Sequence, residues 1–406
     1  MKKIYFDHNA TTPVDEEVFE AMVPYLREEW GNPSSIHWAG RGPRKAVEDA
    51  REQVASFLGC TVHEIIFTSS GTEGDNHAIK GAALAKKEKG NHIITTRVEH
   101  PAVLNTCRYL EKTGFEVTYL DVDEYGLVSA EDVAGHIRDE TVLVSVMLAN
   151  NETGVIFPVK EIAAEAKKRG VTVHCDAVQG AGKIPVDVRE LGVDLLTISG
   201  HKLYAPKGVG ALYARRGVRL TPLVHGGHHE RNRRGGTENV AGIVGLAKAC
   251  EVASREMETE ISRLRALRDR LEKGLMERIP HVKLNGHPER RVPNTTNLSF
   301  EFVEGESLLL NLDMHGIAAS SGSACTSGSL EPSHVLIAMG LSHELSHGSV
   351  RFSLGKSNTD EDVDLLLEVM PPIVERMRSM SPLYSASSGG AARLDLDAGQ
   401  CGGRDG

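Results

Sequence analysis

Between residues 65 and 175 short apolar runs and helix-period segments take turns, and few architectures satisfy that alternation. Ile65-Ile66-Phe67 reads as a strand followed by a helix to about Lys89, and Ile93-Ile94-Thr95 as a strand followed by a helix from about Pro101 to Thr113. Val117-Thr118-Tyr119-Leu120 is the next strand, and Ser129 caps a helix through Ile137. Val142 to Leu148, a helix over Lys160 to Arg169, and Val171 to Cys175 complete the series. Such repetition predicts a mostly parallel sheet with helices on both faces. In sheets of that kind, ligands sit beyond the carboxyl ends of the strands. Upstream, Ala46, Val47, Ala50, Val54, Phe57 and Leu58 fall at helical spacing between Pro43 and the stop at Gly59.

The chain of 406 residues exceeds what one small core organises, and its composition shifts near residue 255, where a second domain is expected. There Leu264, Leu267, Leu271 and Leu275 stripe a long charged helix. Asn297 to Phe300 and Val350 to Leu354 then read as strands. After Tyr384 the residues are rich in Gly, Ser, Ala and Asp, a composition expected to stay disordered. A net charge of −10 argues against general nucleic-acid binding, which needs clustered basic residues. No run of about eighteen apolar residues occurs, and Met1-Lys2-Lys3 leads into a strand, so a cytoplasmic protein without membrane contact is expected. Cysteines 60, 107, 175, 250, 325 and 401 form no C-x-x-C pair, which suits neither a disulfide framework nor a zinc site.

The chemistry centres on Leu195 to Lys202, a buried strand ending in the small turn Ser199-Gly200-His201 with a lysine at its lip. Lys202 can form a Schiff base with a carbonyl if its surroundings free the amine. Asp176 ends a second apolar strand, and a lysine and a carboxylate at neighbouring strand ends are what pyridoxal phosphate needs. The turn Thr68 to Glu73 opens a helix with a glycine and hydroxyl donors, which makes it the phosphate cradle. His100, in Glu99-His100-Pro101, could stack on the cofactor ring, although from its residues alone a capping or surface histidine is the better reading. His225-Gly226-Gly227-His228-His229 looks like metal ligands but lacks a completing cysteine or carboxylate pattern. Cys325 lies among Ser, Gly, Ala and Thr, with nothing apolar to bury it, and reads as a thiol meant to react.

These motifs resemble the cysteine desulfurases of the class V aminotransferase group, most closely the nitrogen-fixation (NifS) type. The resemblance covers nearly all of residues 3–384 and rests on Asp7-His8-Asn9-Ala10-Thr11-Thr12, Gly31-Asn32-Pro33-Ser34-Ser35, Glu99-His100-Pro101, Asn150-Asn151-Glu152-Thr153-Gly154, Asp176-Ala177-Val178-Gln179, Ser199-Gly200-His201-Lys202, Arg234-Gly235-Gly236-Thr237-Glu238-Asn239 and the segment from Ala319 to His334. Gly74 departs from the serine common in that family. The resemblance implies an α/β protein of the pyridoxal-phosphate aminotransferase fold type I. A large domain, 15–255, would bind the cofactor, and residues 1–14 and 256–384 would form a smaller α+β domain carrying a persulfide loop; the tail 385–406 with Cys401 has no counterpart in the resemblance, and its disorder is expected from composition alone.

By the same resemblance, Lys202 would hold the cofactor's aldehyde, Asp176 would face its pyridine nitrogen, Gln179 its phenolic oxygen, and His100 would stack on the ring. Gly71, Thr72, Ser199 and His201 would hold the phosphate, with Thr237 supplied by the other subunit of a homodimer. Asn151 and Arg351 would bind the carboxylate of L-cysteine, and Cys325 would accept its sulfur. The sulfur would pass to a NifU- or IscU-like iron–sulfur scaffold, for nitrogenase or, alternatively, for general cluster assembly. No resident metal is implied, with Cys325 at most a transient iron–sulfur ligand. The rival readings are a selenocysteine lyase and an aminotransferase of the same fold, the latter having no use for Cys325.

Overall fold

The computed structural model describes residues 2–321, 331–381 and 384. Cys325 and the segment 385–406 with Cys401 lie outside the described residues. The chain opens with β1 (Ile4–Tyr5), α1 (Glu16–Arg27) and α2 (Trp38–Leu58), and then builds the alternating series. That series is β2 (Ile65–Thr68), α3 (Gly71–Ala85), β3 (His92–Thr96), α4 (Pro101–Glu111), β4 (Glu116–Leu120), α5 (Ala130–His136), β5 (Thr141–Ser145), α6 (Val159–Lys168), β6 (Thr172–Asp176), α7 (Val188–Leu191), β7 (Leu195–Ser199) and β8 (Gly210–Ala214). The seven strands β2 to β8 form one sheet in the order β2-β8-β7-β6-β5-β3-β4. All neighbours pair in parallel except those of β8, which runs antiparallel between β2 and β7. The fold is therefore α/β with a mostly parallel central sheet, as the alternation predicts.

Both faces of this sheet are covered, and the two-residue period of a strand divides its side chains between them. Ile65 and Phe67 of β2, Leu196 and Ile198 of β7, and Ala211 and Tyr213 of β8 belong to one core. Ile66, Leu195, Leu212 and Ala214 belong to the core on the other face. That double burial is why these strands read as continuous apolar runs.

The remainder comprises α8 (Val240–Arg278), β9 (Val282–Leu284), β10 (Thr295–Phe300), α9 (Gly305–Met314), β11 (Ile317–Ala318), α10 (His334–Ala338), α11 (His343–His347), β12 (Ser349–Ser353) and α12 (Asp360–Ser379). The strands β12-β10-β9 make an antiparallel sheet, and β1 pairs in parallel with β11. Ile4 and Phe6 join side chains from residues 264–374 in a third core. Residue 255, where the composition shifts, lies inside α8. This single helix of 39 residues, about 58 Å long at 1.5 Å per residue, places Ile243 and Leu246 in the sheet's core and Leu264, Leu267, Leu271 and Leu275 in the third. Arg351 therefore reaches the sheet from β12, an element of the third core. No helix among the described residues is long and apolar enough to cross a membrane.

Candidate functional site

Where β2, β3, β5, β6 and β7 end, their carboxyl termini open into a cleft of about 320 Å³. It is lined by Gly71, Thr72, His100, Asn151, Asp176, Gln179, Ser199, His201, Lys202 and Arg351, so residues far apart in sequence meet in one place. Of the residues singled out in the sequence, Thr237 is not part of this lining; it is exposed elsewhere on the subunit. The histidines at 225–229 assemble no ligand set: His228 Nδ1 pairs with Asn232 Oδ1, and His229 Nε2 is 4.0 Å from Glu238. No group of three or more metal-ligating side chains forms among the described residues.

Lys202 follows β7 in a short helical turn, and its Nζ donates to the carbonyls of Asn9 and Ala10 at 2.5 and 2.6 Å. These acceptors come from the N-terminal loop after β1. The sequence motif around them was visible, but a backbone carbonyl leaves no mark on residue type.

Asp176, the last residue of β6, is buried and accepts a hydrogen bond from Val178 N at 2.9 Å. Burial, reinforced by the negative charge of Asp75, pushes its carboxyl up to about 7. A carboxylate in that position is short of a cation. Asp75 also lines the cleft, is itself buried and is also raised to about 7 by burial. Sequence reasoning passed over Asp75, which sits among helix-capping residues.

His100 is both a cap and a cleft residue. Its Nδ1 accepts from Ala102 N at 3.1 Å at the head of α4, with Pro101 at the first helical position. That leaves the ring proton on Nε2. Burial and the nearby Lys202 charge lower its pKa to about 4, so the ring is neutral at pH 7. His201 is lowered to about 4 in the same way, and its Nδ1 lies 3.2 Å from Thr11 Oγ1.

Gln179 donates to Asn9 O at 2.9 Å and accepts from Lys183 Nζ, a second, half-buried lysine four residues on that sequence reasoning did not single out. Arg351 is buried; its Nη2 binds Asp7 at 2.6 Å and its Nη1 donates to Asn151 O at 2.9 Å, while Nε has no partner.

At the other end of the cleft, Ser70 caps α3 by accepting from Glu73 N, and the first-turn N–H groups of Gly71 and Thr72 have no partner within the helix. Gly71 has to be glycine: a Cβ there would stand 2.8 Å from Val178 Cγ2 and 3.3 Å from Ser199 Cβ. Ser199 Oγ is buried without a partner. Gly74 packs on Thr197, where a Cβ would come within 2.6 Å of its methyl carbon.

Cys60, Cys107, Cys175 and Cys250 are unpaired, and burial raises the pKa of each, to about 12 for Cys60 and Cys107.

Comparison with known proteins gives this cleft its family. Residues 4–366 match the Aminotransferase class-V family. The cysteine desulfurase IscS of Methanosarcina thermophila is 56% identical over 382 residues, covering 94% of each chain. The cysteine desulfurase of Trichormus azollae is 56% identical over 389 residues, 96% of this chain and 97% of its own. The chain belongs to the cysteine desulfurases of the class-V aminotransferase family. A solved NifS-like protein superposes with a TM-score of 0.87 at 41% identity, covering 92% of this chain and all of its own. SspA, solved in complex with cysteine, superposes with a TM-score of 0.75 at 37% identity, covering 87% and 99%.

Enzymes of this family work with pyridoxal phosphate, and the cleft fits that cofactor on its own evidence. A dianion suits the helix start at Gly71 and the orphaned Ser199 hydroxyl. A protonated ring nitrogen suits Asp176, and an aldehyde suits Lys202.

Proposed function

We propose that this chain takes sulfur from L-cysteine, releases L-alanine and carries the sulfur as a persulfide on Cys325. The observation that carries the reading is the meeting of Lys202, Asp176 and Arg351 in one cleft, in a chain 56% identical to cysteine desulfurases over almost its whole length. In this reading Gly71, Thr72, Ser199 and His201 hold the phosphate, Asp176 faces the ring nitrogen, Gln179 the phenolic oxygen, and His100 lies against the ring. When bound, pyridoxal phosphate offers an aldehyde to primary amines and an electron-withdrawing ring to the substrate carbon attached there.

Lys202 would hold the cofactor's aldehyde in the resting enzyme and, with its amine free, would take the substrate Cα proton at Nζ, which the Asn9 and Ala10 carbonyls keep aimed from one side. Arg351 and Asn151 orient the substrate carboxylate, with Arg351 exchanging Asp7 for the ligand. Neutral His100 presents Nε2–H and can serve as donor without adding charge. Cys325, as thiolate, attacks the substrate sulfur. A new S–S bond forms as the Cβ–S bond breaks, and a proton fills the position on Cβ, giving alanine.

The acceptor is read as a NifU- or IscU-like iron–sulfur scaffold. The similar proteins include one called IscS and one called NifS-like, and nitrogenase supply and general cluster assembly draw on the same persulfide. A cytoplasmic setting agrees with four unpaired thiols among the described residues. A homodimer with composite sites is supported by exposed apolar side chains crowded into residues 19–38, where Trp30, Ile36 and Trp38 are 71%, 94% and 75% exposed.

The test is incubation with L-cysteine and a reductant, measuring sulfide and alanine. Cys325→Ser should abolish sulfide release while the cofactor's absorbance still responds to L-cysteine. Wild-type protein given one equivalent should gain about 32 mass units on the Cys325 peptide, as a persulfide requires. Sulfur found on another cysteine, or normal sulfide release by the serine variant, would refute the reading.

A further inference from the structure

Glu230, Arg231 and Asn232 lie in the left-handed region, with φ of 47, 56 and 65°. Three successive non-glycine residues there adopt a conformation that L-amino acids avoid, and it persists only where the surroundings impose it. Here they do. Arg51 of α2 grips the Glu230 carboxylate with two bonds, Nη1–Oε2 at 2.8 Å and Nη2–Oε1 at 2.9 Å, both side chains being almost fully buried. Phe67 N donates to the same carboxylate at 3.0 Å. Arg51 and Arg233 both donate to Ile65 O, at 3.2 and 3.0 Å. The strained turn is thus fastened to β2, the edge strand that runs directly into the turn at Ser70–Thr72.

A buried ion pair is a poor route to bulk stability but a good way to specify one conformation. What it specifies is the path of the segment that follows. Arg234 forks the Glu73 carboxylate at 2.9 and 3.2 Å. Gly235 lies against Gly226, so closely that a Cβ at 235 would stand 2.7 Å from Gly226 N. Two residues later Thr237 is exposed and does not line the cleft of its own subunit.

We propose that the Arg51–Glu230 clamp is a positioning device that acts on a second copy of the chain: by holding Glu230–Asn232 in the left-handed turn, it presents Thr237 to the phosphate end of the partner's cleft. This rests on the composite dimer site proposed above. Glu230 and Arg51 touch no substrate; they act through Thr237.

The test uses heterodimers of differently tagged subunits, one carrying Lys202→Ala, so that the visible absorbance of lysine-held pyridoxal phosphate and turnover both report a single live site. Glu230→Gln placed on the Lys202→Ala subunit should weaken cofactor binding at the live site by roughly tenfold or more, as loss of a hydrogen bond to a charged group does. Glu230→Gln placed on the live subunit should leave its cofactor affinity unchanged. Arg233→Met, which removes the side-chain bonds to Ile65 O and Glu230 O but leaves the Arg51–Glu230 pair, should show the same asymmetry more weakly, and it decides the matter if Glu230→Gln subunits fail to fold. A loss that follows the live subunit, or equal affinity in both arrangements, overturns the proposal. Thr237→Val goes through the same two arrangements. If Thr237 acts across subunits and Glu230 does not, the clamp alone fails; if Thr237 acts within its own subunit or not at all, the composite-site reading fails.

Discussion

Asp176→Asn should stabilise the cofactor-free protein and weaken the loaded one. In the folded chain the carboxyl moves from its ordinary 3.8 to about 7, chiefly through burial and secondarily through the charge of Asp75. At ~1.36 kcal/mol per pH unit, the difference of about 3 units makes the ionised group cost about 4 kcal/mol of folding stability. The folded pKa lies above the unfolded one, so the cost is absent below pH 3.8, builds as the pH rises towards 7, and is constant above that. Asparagine removes the charge and keeps an oxygen to accept from Val178 N. Urea denaturation of the apo proteins should therefore show the variant more stable by up to about 4 kcal/mol at pH 8 and by only about 1 kcal/mol at pH 4.5. With pyridoxal phosphate the order should reverse, because the neutral amide no longer holds the ring nitrogen protonated. An apo variant no more stable than wild type at pH 8 would refute the argument. A gain equal at both pH values would trace it to packing instead of charge.

Ser199→Ala should leave the apo protein's unfolding midpoint unchanged, since Ser199 Oγ has no partner to lose, and should weaken pyridoxal phosphate binding about tenfold in an absorbance titration. His100→Asn should retain the cap on α4, because asparagine is a good N-cap, yet lower kcat. His100→Ala should lose activity and also about 1 kcal/mol of stability, seen as a lower urea midpoint. Replacing Ile36 and Trp38 together by glutamate should convert a dimer to monomers in sedimentation analysis and abolish turnover; a dimer that survives would place the interface elsewhere.

The strands and the cleft were legible because their physics is local. Ile65-Ile66-Phe67 and Leu195 to Ile198 are apolar at every position since both faces of the sheet are covered, and the ligand-bearing residues fall at their ends. β8 leaves little trace in the sequence because Gly210-Ala211-Leu212-Tyr213-Ala214 is short, small and set among glycines. The helix α8 declares itself in sequence only in its second half. Its first half packs Ala, Gly, Ile and Leu on nearly every side, so no polar stripe sets off the apolar one. The placement of Asn9 and Ala10 beneath Lys202 depends on main-chain carbonyls, to which sequence is blind. That Thr237 does not line its own cleft agrees with the expectation, drawn from family resemblance and not from spacing or periodicity, that it serves the other subunit.

The four thiols among the described residues, three buried and Cys60 half-buried, have a consequence for any protein that handles sulfane sulfur. A persulfide is itself an electrophile, and a neighbouring thiolate could capture its outer sulfur before delivery. Cys60 and Cys107, held near 12, and Cys175 and Cys250, raised likewise, remain almost wholly protonated at neutral pH. Under the proposed function these four thiols are therefore poor acceptors for a persulfide's outer sulfur, and their surroundings, as much as the cleft, would keep the sulfur on its route.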